Sequence, residues 1–360
     1  MRIIFCGGGT LGPVTPLLAT IEKLKELKPD VAPVWVGTRA GVERAFVAKQ
    51  GIEYHWICAA KLRRYFDLRT IAAPFVAAVG IFQSWWLIFK LQPKAVVAAG
   101  AYVQVPLIMT ARCLGVPVVL MQLDVEAGLA NRISAYDAKI IATAFDASVP
   151  QFGKRSVKVI GAPVRKMIVN LTDPALREAA RAAGYKRWGF DPSRPTILVL
   201  GGGTGALGLN ERLVRNLDAF LVQANILNVA GKGRLVDAKP RKNYVAVEFL
   251  NEELVEAFAV SDLVVSRAGF GTISELGILG LPAVLAPLSG QQEKNAAYLE
   301  SRSAAVVLAN GYSDQVFVGT ILRFLNDRDR RLSVGRAIAE IFPADAADKL
   351  AGIIVEVMKK

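Results

Sequence analysis

The chain has 360 residues, 53% of them hydrophobic, with a mean hydropathy of +0.36 and a formal net charge of +13 from 44 basic and 31 acidic side chains. That length accommodates two domains with separate cores, the apolarity suits parallel sheets buried on both faces or contact with lipid, and the charge calls for an anionic partner: nucleic acid, a phosphorylated substrate or an acidic membrane face. Three scattered cysteines (Cys6, Cys58, Cys113) argue against a disulfide framework and for reduced thiols in the cytosol, the single histidine (His55) against a histidine-based metal site, and Met1-Arg2 runs into a strand where a secretory leader would stand.

The first strand, 2–6, ends in Gly7, Gly8 and Gly9 and leads into a helix over 15–27. Strand 33–37 and helix 42–50 follow, then strands 95–99, 116–120 and 140–143. Continuous Val/Ile/Ala runs, without alternation, predict parallel strands covered on both faces. Residues 61–92 break the rhythm: Lys61, Arg63, Arg64 and Arg69 precede a nearly uncharged run holding Phe75, Phe82, Trp85, Trp86 and Phe89. About 20 apolar residues span a bilayer, so a transmembrane helix is one reading. A buried crossover helix is another, and a helix lying in the membrane interface, cations on headgroups and Trp at the boundary, is a third. Pro74, Gly80, Gln83 and Ser84 interrupt the run, and its place between strands of one sheet weighs against spanning.

Around GAPVRK, 161–166, the pattern pauses, and the charged run to Asp191 reads as a domain boundary. The alternation restarts with strand 196–200, which ends in Gly201, Gly202 and Gly203, then helix 210–223, strands 226–230 and 244–248, and helix 252–259. Strand 263–266, helix 272–279, strand 283–286 and helix 292–301 follow, and an amphipathic helix over 345–360 closes the chain. The expected fold is α/β, two doubly wound domains facing a central cleft.

A strand that delivers glycines to a helix start presents backbone N–H groups and a positive dipole end to an anion. Gly7, Gly9 and Gly12 satisfy G-x-G-x-x-G, and Gly201, Gly203 and Ala206 its variant, which permits a dinucleotide reading beside that of a plain tight turn. The second strand, however, ends PVWVGTRAG with no acid at its tip for a ribose; Arg39 there would suit a 2′-phosphate. In SRAGFGTISE, 266–275, Thr272 is placed to cap a helix and Glu275 stands three residues on, at capping-box spacing. The other reading of Glu275 is a carboxylate accepting from the vicinal hydroxyls of a ribose, with the helix start facing a diphosphate. Gln291, Gln292 and Asn295 offer neutral donors and acceptors suited to sugar hydroxyls, and Arg165 is either an interdomain salt-bridge partner or a diphosphate counter-charge.

Taken in order, GGGT, GAYVQVP (100–106), AGLANR (127–132), GAPVR, GGGTGA, EFL (248–250), SRAGFGTISE, GLP (280–282) and QQEKNA resemble the MurG family over almost the whole chain. These are UDP-N-acetylglucosamine:undecaprenyl-pyrophosphoryl-N-acetylmuramyl-pentapeptide N-acetylglucosaminyltransferases. The resemblance implies the GT-B fold, two Rossmann-like domains: 1–162 for the acceptor and membrane, with helix 345–360 packed back on it, and 163–344 for the UDP-sugar. It implies inverting, metal-independent transfer of GlcNAc from UDP-GlcNAc to lipid I, giving lipid II for the cell wall. The enzyme would work without cofactor or nucleic acid, peripherally on the anionic cytoplasmic face of the membrane, on an undecaprenyl-diphosphate-linked acceptor.

By position, the resemblance gives Glu275 to the ribose, Phe270, Gly271, Thr272, Ile273 and Ser274 to the turn around the diphosphate, and Leu250 to uracil. It gives Gln291, Gln292 and Asn295 to the GlcNAc hydroxyls and Arg165 to the diphosphate. Gly203 stands where the family usually has serine, and Thr204 beside it would supply the hydroxyl. On the acceptor side, Thr10, Leu11, Gly12, Tyr102, Asp124 and Asn131 match family site positions, and Arg63, Arg64, Phe75, Phe82, Trp85 and Trp86 match its membrane patch. The departures lie where the acceptor would react. GGTGGH becomes GGTLGP, with Pro13 for the histidine, and HEQN becomes MQLD, with Met121 for the second. Neither can take a proton, which leaves Asp124 and Glu126 as candidate bases. Two alternatives follow: a transferase of this fold acting on another lipid or carrier, and a donor-binding protein without turnover.

Overall fold

The computed structural model describes residues 1–9, 12–59, 73–201, 205–236 and 241–359. The chain forms two compact units, Met1–Arg165 with Ala344–Lys360, and Lys166–Pro343. In the first, strands β1 (Arg2–Cys6), β2 (Ala32–Gly37), β3 (Glu53–Trp56), β4 (Val96–Ala98), β5 (Val118–Gln122), β6 (Ile140–Thr143) and β7 (Val157–Val159) form one parallel sheet in the order β3-β2-β1-β4-β5-β6-β7. In the second, β8 (Thr196–Leu200), β9 (Asn225–Val229), β10 (Tyr244–Val247), β11 (Leu263–Ser266), β12 (Ala283–Leu285) and β13 (Val306–Val307) are parallel in the order β10-β9-β8-β11-β12-β13.

The strands β4, β5, β8, β9 and β11 are buried at every position, as their predominantly apolar sequences favour, and the Asn225 amide inside β9 is hydrogen-bonded. Each sheet reverses its winding once, between β1 and β4 in the first and between β8 and β11 in the second. At such a switch point the flanking loops diverge at the carboxyl ends of the strands and leave a crevice for ligand. Both glycine turns sit there.

Several expected elements are corrected. The charged run to Asp191, read as part of the domain boundary, holds the helix Pro174–Trp188, inside the second unit, and the units divide at Arg165/Lys166. Asp173 caps this helix by accepting from the amides of Ala175 (2.8 Å) and Leu176 (3.3 Å), and Gly189 ends it in the left-handed region at φ 62°. The expected helix 210–223 is two helices, Leu207–Arg215 and Leu217–Leu221. Between them Asn216 turns its side-chain amide to the Arg212 carbonyl (2.9 Å) and Asp314 (3.1 Å). Helices Asp314–Asn326 and Arg328–Ile341, which the sequence reading did not place, begin at the side-chain caps Ser313 and Asp327. The last helix, Ala346–Lys359, lies against helix Val14–Leu27 of the first unit, where Lys23 pairs with Asp348 at 2.8 Å.

The segment before β4 is the helix Ala73–Leu91, whose stretch Pro74–Leu91 has a mean hydropathy of 1.4 and the length to cross a membrane. Its two faces differ. Leu87, Ile88 and Leu91 join the core beside the sheet, Gln83 accepts from the Cys58 amide (2.6 Å), and a Cβ at Gly80 would overlap the Cys58 carbonyl. Phe75, Val79, Phe82, Trp86 and Phe89 recur every three or four residues on the other face and are exposed, Phe82 to 68% and Trp86 to 51%. The helix is therefore a sheet crossover docked along one side, neither a free span nor a buried core helix.

Candidate functional site

In the first unit, the crevice between β1 and β4 is flanked by Gly7–Gly9 and by Gly100–Tyr102. Thr10 and Leu11 lie outside the described residues, as do Arg63 and Arg64 of the expected membrane patch. Gly12 is partly buried in the turn before helix Val14–Leu27, and Pro13 is that helix's N-cap. Met121, at the other histidine position, is wholly buried within β5. Tyr102 is half-buried; desolvation, then the negative charge of Glu43, pushes its phenol above the ordinary value, so it stays protonated at neutral pH. His55 is on the edge strand β3, two strands from the switch point, with Nε2 2.7 Å from the Glu53 carboxylate.

A buried chain of amides ties the loops after β4 and β5 together. Gln104 accepts from the Gly100 amide (2.7 Å) and donates to Asn131 Oδ1 (2.7 Å) and Ser134 Oγ (3.1 Å). Asn131 donates to Gln122 Oε1 (2.6 Å) and the Met121 carbonyl (3.2 Å), and Gln122 donates to the carbonyls of Asp124 (2.6 Å) and Glu126 (3.2 Å). Gln104, Gln122, Asn131 and Ser134 are all at most 5% exposed. Both ends of the Asn131 amide are engaged inside the protein, so its side chain holds the loops. Asp124 and Glu126 are half-buried on the loop so held, and Glu126 is paired with Arg132 at 3.2 Å.

The sequence reading missed Glu43, on helix Glu43–Lys49 just past β2. An acid does stand near the tip of the second strand, contrary to expectation, but it is wholly buried and turned inward. Its carboxylate accepts from the Thr38 amide (2.8 Å), the Thr38 hydroxyl (2.6 Å) and the Gly9 amide (3.2 Å). Desolvation opposes its ionisation, but the bonds from Thr38 and Gly9 outweigh that and hold it below the ordinary carboxylate value. A buried acid so bound offers nothing to a ribose, which removes the dinucleotide reading of this turn.

In the second unit, the crevice between β8 and β11 is flanked by Gly201, Gly205 and Ala206, with Gly202, Gly203 and Thr204 outside the described residues, and by Arg267–Gly271. Helix Phe270–Leu279 starts earlier than expected, with Gly269 as N-cap and no side-chain cap. Thr272 is inside the helix and Glu275 lies beyond its first turn, so the capping-box reading of Glu275 is corrected. Phe270, Thr272, Ile273 and Ser274 are buried, and Ser274 donates to the Gly271 carbonyl (2.9 Å), so the backbone of this turn, not its side chains, is what can meet a ligand. Glu275 and Gln291 are half-buried, as is Gln292, which accepts from the Leu288 amide (2.9 Å). Asn295 is buried and donates to the Ala268 carbonyl (3.4 Å), which makes it a brace for the turn. Leu250 is buried at the end of the EFL motif, and Arg165 is half-buried as the last residue of the first unit's main segment.

Arg234 was also missed. It donates to the Gly205 carbonyl (3.4 Å), and Asn210 fixes its loop by donating to the carbonyls of Ala230 (2.9 Å) and Arg234 (3.1 Å). Gly205, at φ 73°, has the Ala230 carbonyl where a Cβ would stand. The signal available was GKGR directly after an apolar strand adjoining β8. Among the described residues no group of three or more His, Cys, Asp or Glu side chains could hold a metal ion.

Two doubly wound parallel sheets, each with a glycine-marked crevice at its switch point, are the GT-B architecture of nucleotide-sugar glycosyltransferases. Residues 3–143 match the glycosyltransferase family 28 N-terminal domain and residues 196–350 the family's C-terminal domain. The chain is 36% identical over 313 residues, 85% of it and 86% of the relative, to the UDP-N-acetylglucosamine--N-acetylmuramyl-(pentapeptide) pyrophosphoryl-undecaprenol N-acetylglucosamine transferase of Clostridium botulinum strain Loch Maree. Against the transferase of the same description from a Nocardioides species it is 34% identical over 367 residues, 99% of this chain and 98% of that one. The crystal structure of Acinetobacter baumannii MurG superposes with a TM-score of 0.77 at 25% identity, covering 99% of both chains. The chain belongs to glycosyltransferase family 28, as a member of its MurG group.

Proposed function

We propose that this chain transfers GlcNAc from UDP-GlcNAc to the muramyl-peptide of lipid I, forming lipid II at the cytoplasmic face of the membrane. The observation that carries the reading is full-length similarity to transferases of that one description, at 34–36% identity, across both units. The acceptor hydroxyl attacks the anomeric carbon, the bond to UDP breaks with inversion, and the hydroxyl proton goes to a base. In this reading the uncapped start of helix Phe270–Leu279 faces the departing diphosphate, with Arg165 and Arg234 as counter-charges. Glu275 holds the ribose, Leu250 lies against uracil, and Gln291 and Gln292 bind the sugar. The exposed apolar face of helix Ala73–Leu91 supports peripheral attachment to lipid, with Trp85 and Trp86 at the headgroup boundary.

Pro13 and Met121 cannot take the proton, and we assign it to Asp124, which with Glu126 stands on the loop that the amide chain holds. Asp124→Asn then lowers kcat by about 10²–10⁴-fold while leaving UDP affinity unchanged. The replaced histidines also favour a second reading, transfer to a different lipid or carrier. UDP release with lipid I, another glycolipid or water as acceptor separates the cases. Turnover with lipid I supports the proposal, turnover only with the other glycolipid supports the second reading, and UDP-GlcNAc binding without release refutes both.

A further inference from the structure

The first glycine turn is filled from inside the protein. Behind the first turn, a Cβ at Gly8 or Gly41 would collide with the Glu43 carboxylate, and one at Gly37 with the Tyr54 hydroxyl that also donates to it at 3.4 Å. Glycines from the turn after β1 and the loop after β2, together with the Thr38 amide and hydroxyl and the Tyr54 hydroxyl, build a housing for one internal carboxylate. Gly9 takes φ 80°, a left-handed conformation, and donates its N–H inward to that carboxylate at 3.2 Å. The helix that follows is poor in donors at its start, because Pro13 is its N-cap and Pro16 occupies its third position, and neither has an N–H. Helix Phe270–Leu279, which follows β11 on the other side of the second unit's crevice, has by contrast an N–H at each of Gly269, Phe270, Gly271 and Thr272.

We propose that Glu43 fills the anion position of the first glycine turn from inside the protein, so that this turn receives an uncharged part of the acceptor, a sugar and its hydroxyls, and not a diphosphate. A phosphate on the turn would face a buried negative charge and would find the Gly9 amide engaged. Glu43 is a positioning residue: it fixes the turn and assigns the substrate's charged group to another place. The inference deepens the proposed transfer and rests on it for the identity of the acceptor.

Trp35 reports on the turn directly, since its indole N–H donates to the Gly7 carbonyl at 3.0 Å. The test is an NMR titration of the full chain, labelled with 15N at tryptophan, with inorganic pyrophosphate; the Trp35 indole signal is assigned by its loss in Trp35→Phe. In the wild type that signal stays in place throughout. In Glu43→Gln, where an amide nitrogen replaces the oxygen facing Gly9 or Thr38, it gains a saturable shift. A saturable shift in the wild type overturns the proposal, whether or not the variant folds, and so does a folded variant that gives none. Kinetics add a second readout, in which Glu43→Gln raises KM for lipid I about tenfold and leaves KM for UDP-GlcNAc within about twofold. Equal changes in both overturn a positioning role on the acceptor side. The titration needs no turnover, so absence of transfer to lipid I would refute the proposed function while leaving the indole result readable.

Discussion

Asn131→Ala is expected to destabilise the first unit by about 2–4 kcal/mol. The side chain is 5% exposed and makes three hydrogen bonds: from Gln104, to Gln122 Oε1 and to the Met121 carbonyl. Truncation orphans Gln122 Oε1, which costs about 1–3 kcal/mol for a buried polar group, while each of the other two bonds contributes about 0.5–1.5 kcal/mol. Gln104 keeps Ser134 as a partner, which limits the loss. Asn131→Asp should be worse, because its carboxylate would face two oxygens that the amide nitrogen now serves. The assay is urea unfolding followed by fluorescence in a Trp188→Phe background, where the remaining tryptophans, Trp35, Trp56, Trp85 and Trp86, all report on the first unit. A loss below about 0.5 kcal/mol for the alanine variant, the scale of ordinary surface substitutions, or a milder effect for aspartate, would refute the amide chain.

Glu43 gives the first unit an acid sensitivity. Its folded pKa is below the ordinary 4.5, so its contribution is complete above that value and is lost as pH falls through the folded one. Urea midpoints between pH 7 and pH 3 should fall more steeply for the wild type than for Glu43→Gln; parallel curves would contradict this. Ala101 sits at φ 105°, a strained region for any residue with a Cβ, so Ala101→Gly should stabilise the first unit by about 1 kcal/mol, read in the same unfolding assay. Phe82→Ala and Trp86→Ala each remove an exposed aromatic side chain from the helix Ala73–Leu91. Each should weaken partition onto anionic vesicles by roughly tenfold, from ~1–2 kcal/mol of lost burial, in a sedimentation assay. Unchanged partition for both would remove the membrane reading of this face.

The inner strands were legible because a parallel sheet covered on both faces leaves continuous apolar runs, whereas the edge strands β3, β7 and β13, short and partly exposed, left none and were not expected. What the sequence hid was direction. Asn131 stood out in AGLANR, but nothing local says that its amide turns inward to Gln104 and Gln122. Glu43 depends on Gly8, Gly37, Thr38 and Gly41, and a pocket assembled across 36 residues has no local pattern. Thr272 and Glu275 imitated a capping box because a helix capped by glycine backbone leaves no side-chain mark, so its true start at Phe270 was invisible. In helix Ala73–Leu91 both faces are apolar or small, and only the docking of Gly80, Gln83 and Leu87 separates the buried side from the exposed one.

The same contrast bears on the acceptor chemistry. The two histidine positions of the family are filled by a helix N-cap, Pro13, and by a core side chain of β5, Met121, and both replacements fit their packing. Neither place retains a group that could move a proton, so the proposed transfer relies on the loop after β5. That loop is clamped through its backbone: Gln122 and Ser148 both donate to the Asp124 carbonyl, at 2.6 and 3.2 Å, and Gln151 donates to the carbonyl of Val125 at 2.8 Å. Holding the main chain fixes where the Asp124 side chain starts. In the first unit, rigidity around the switch point comes from buried neutral amides and from one carboxylate turned inward.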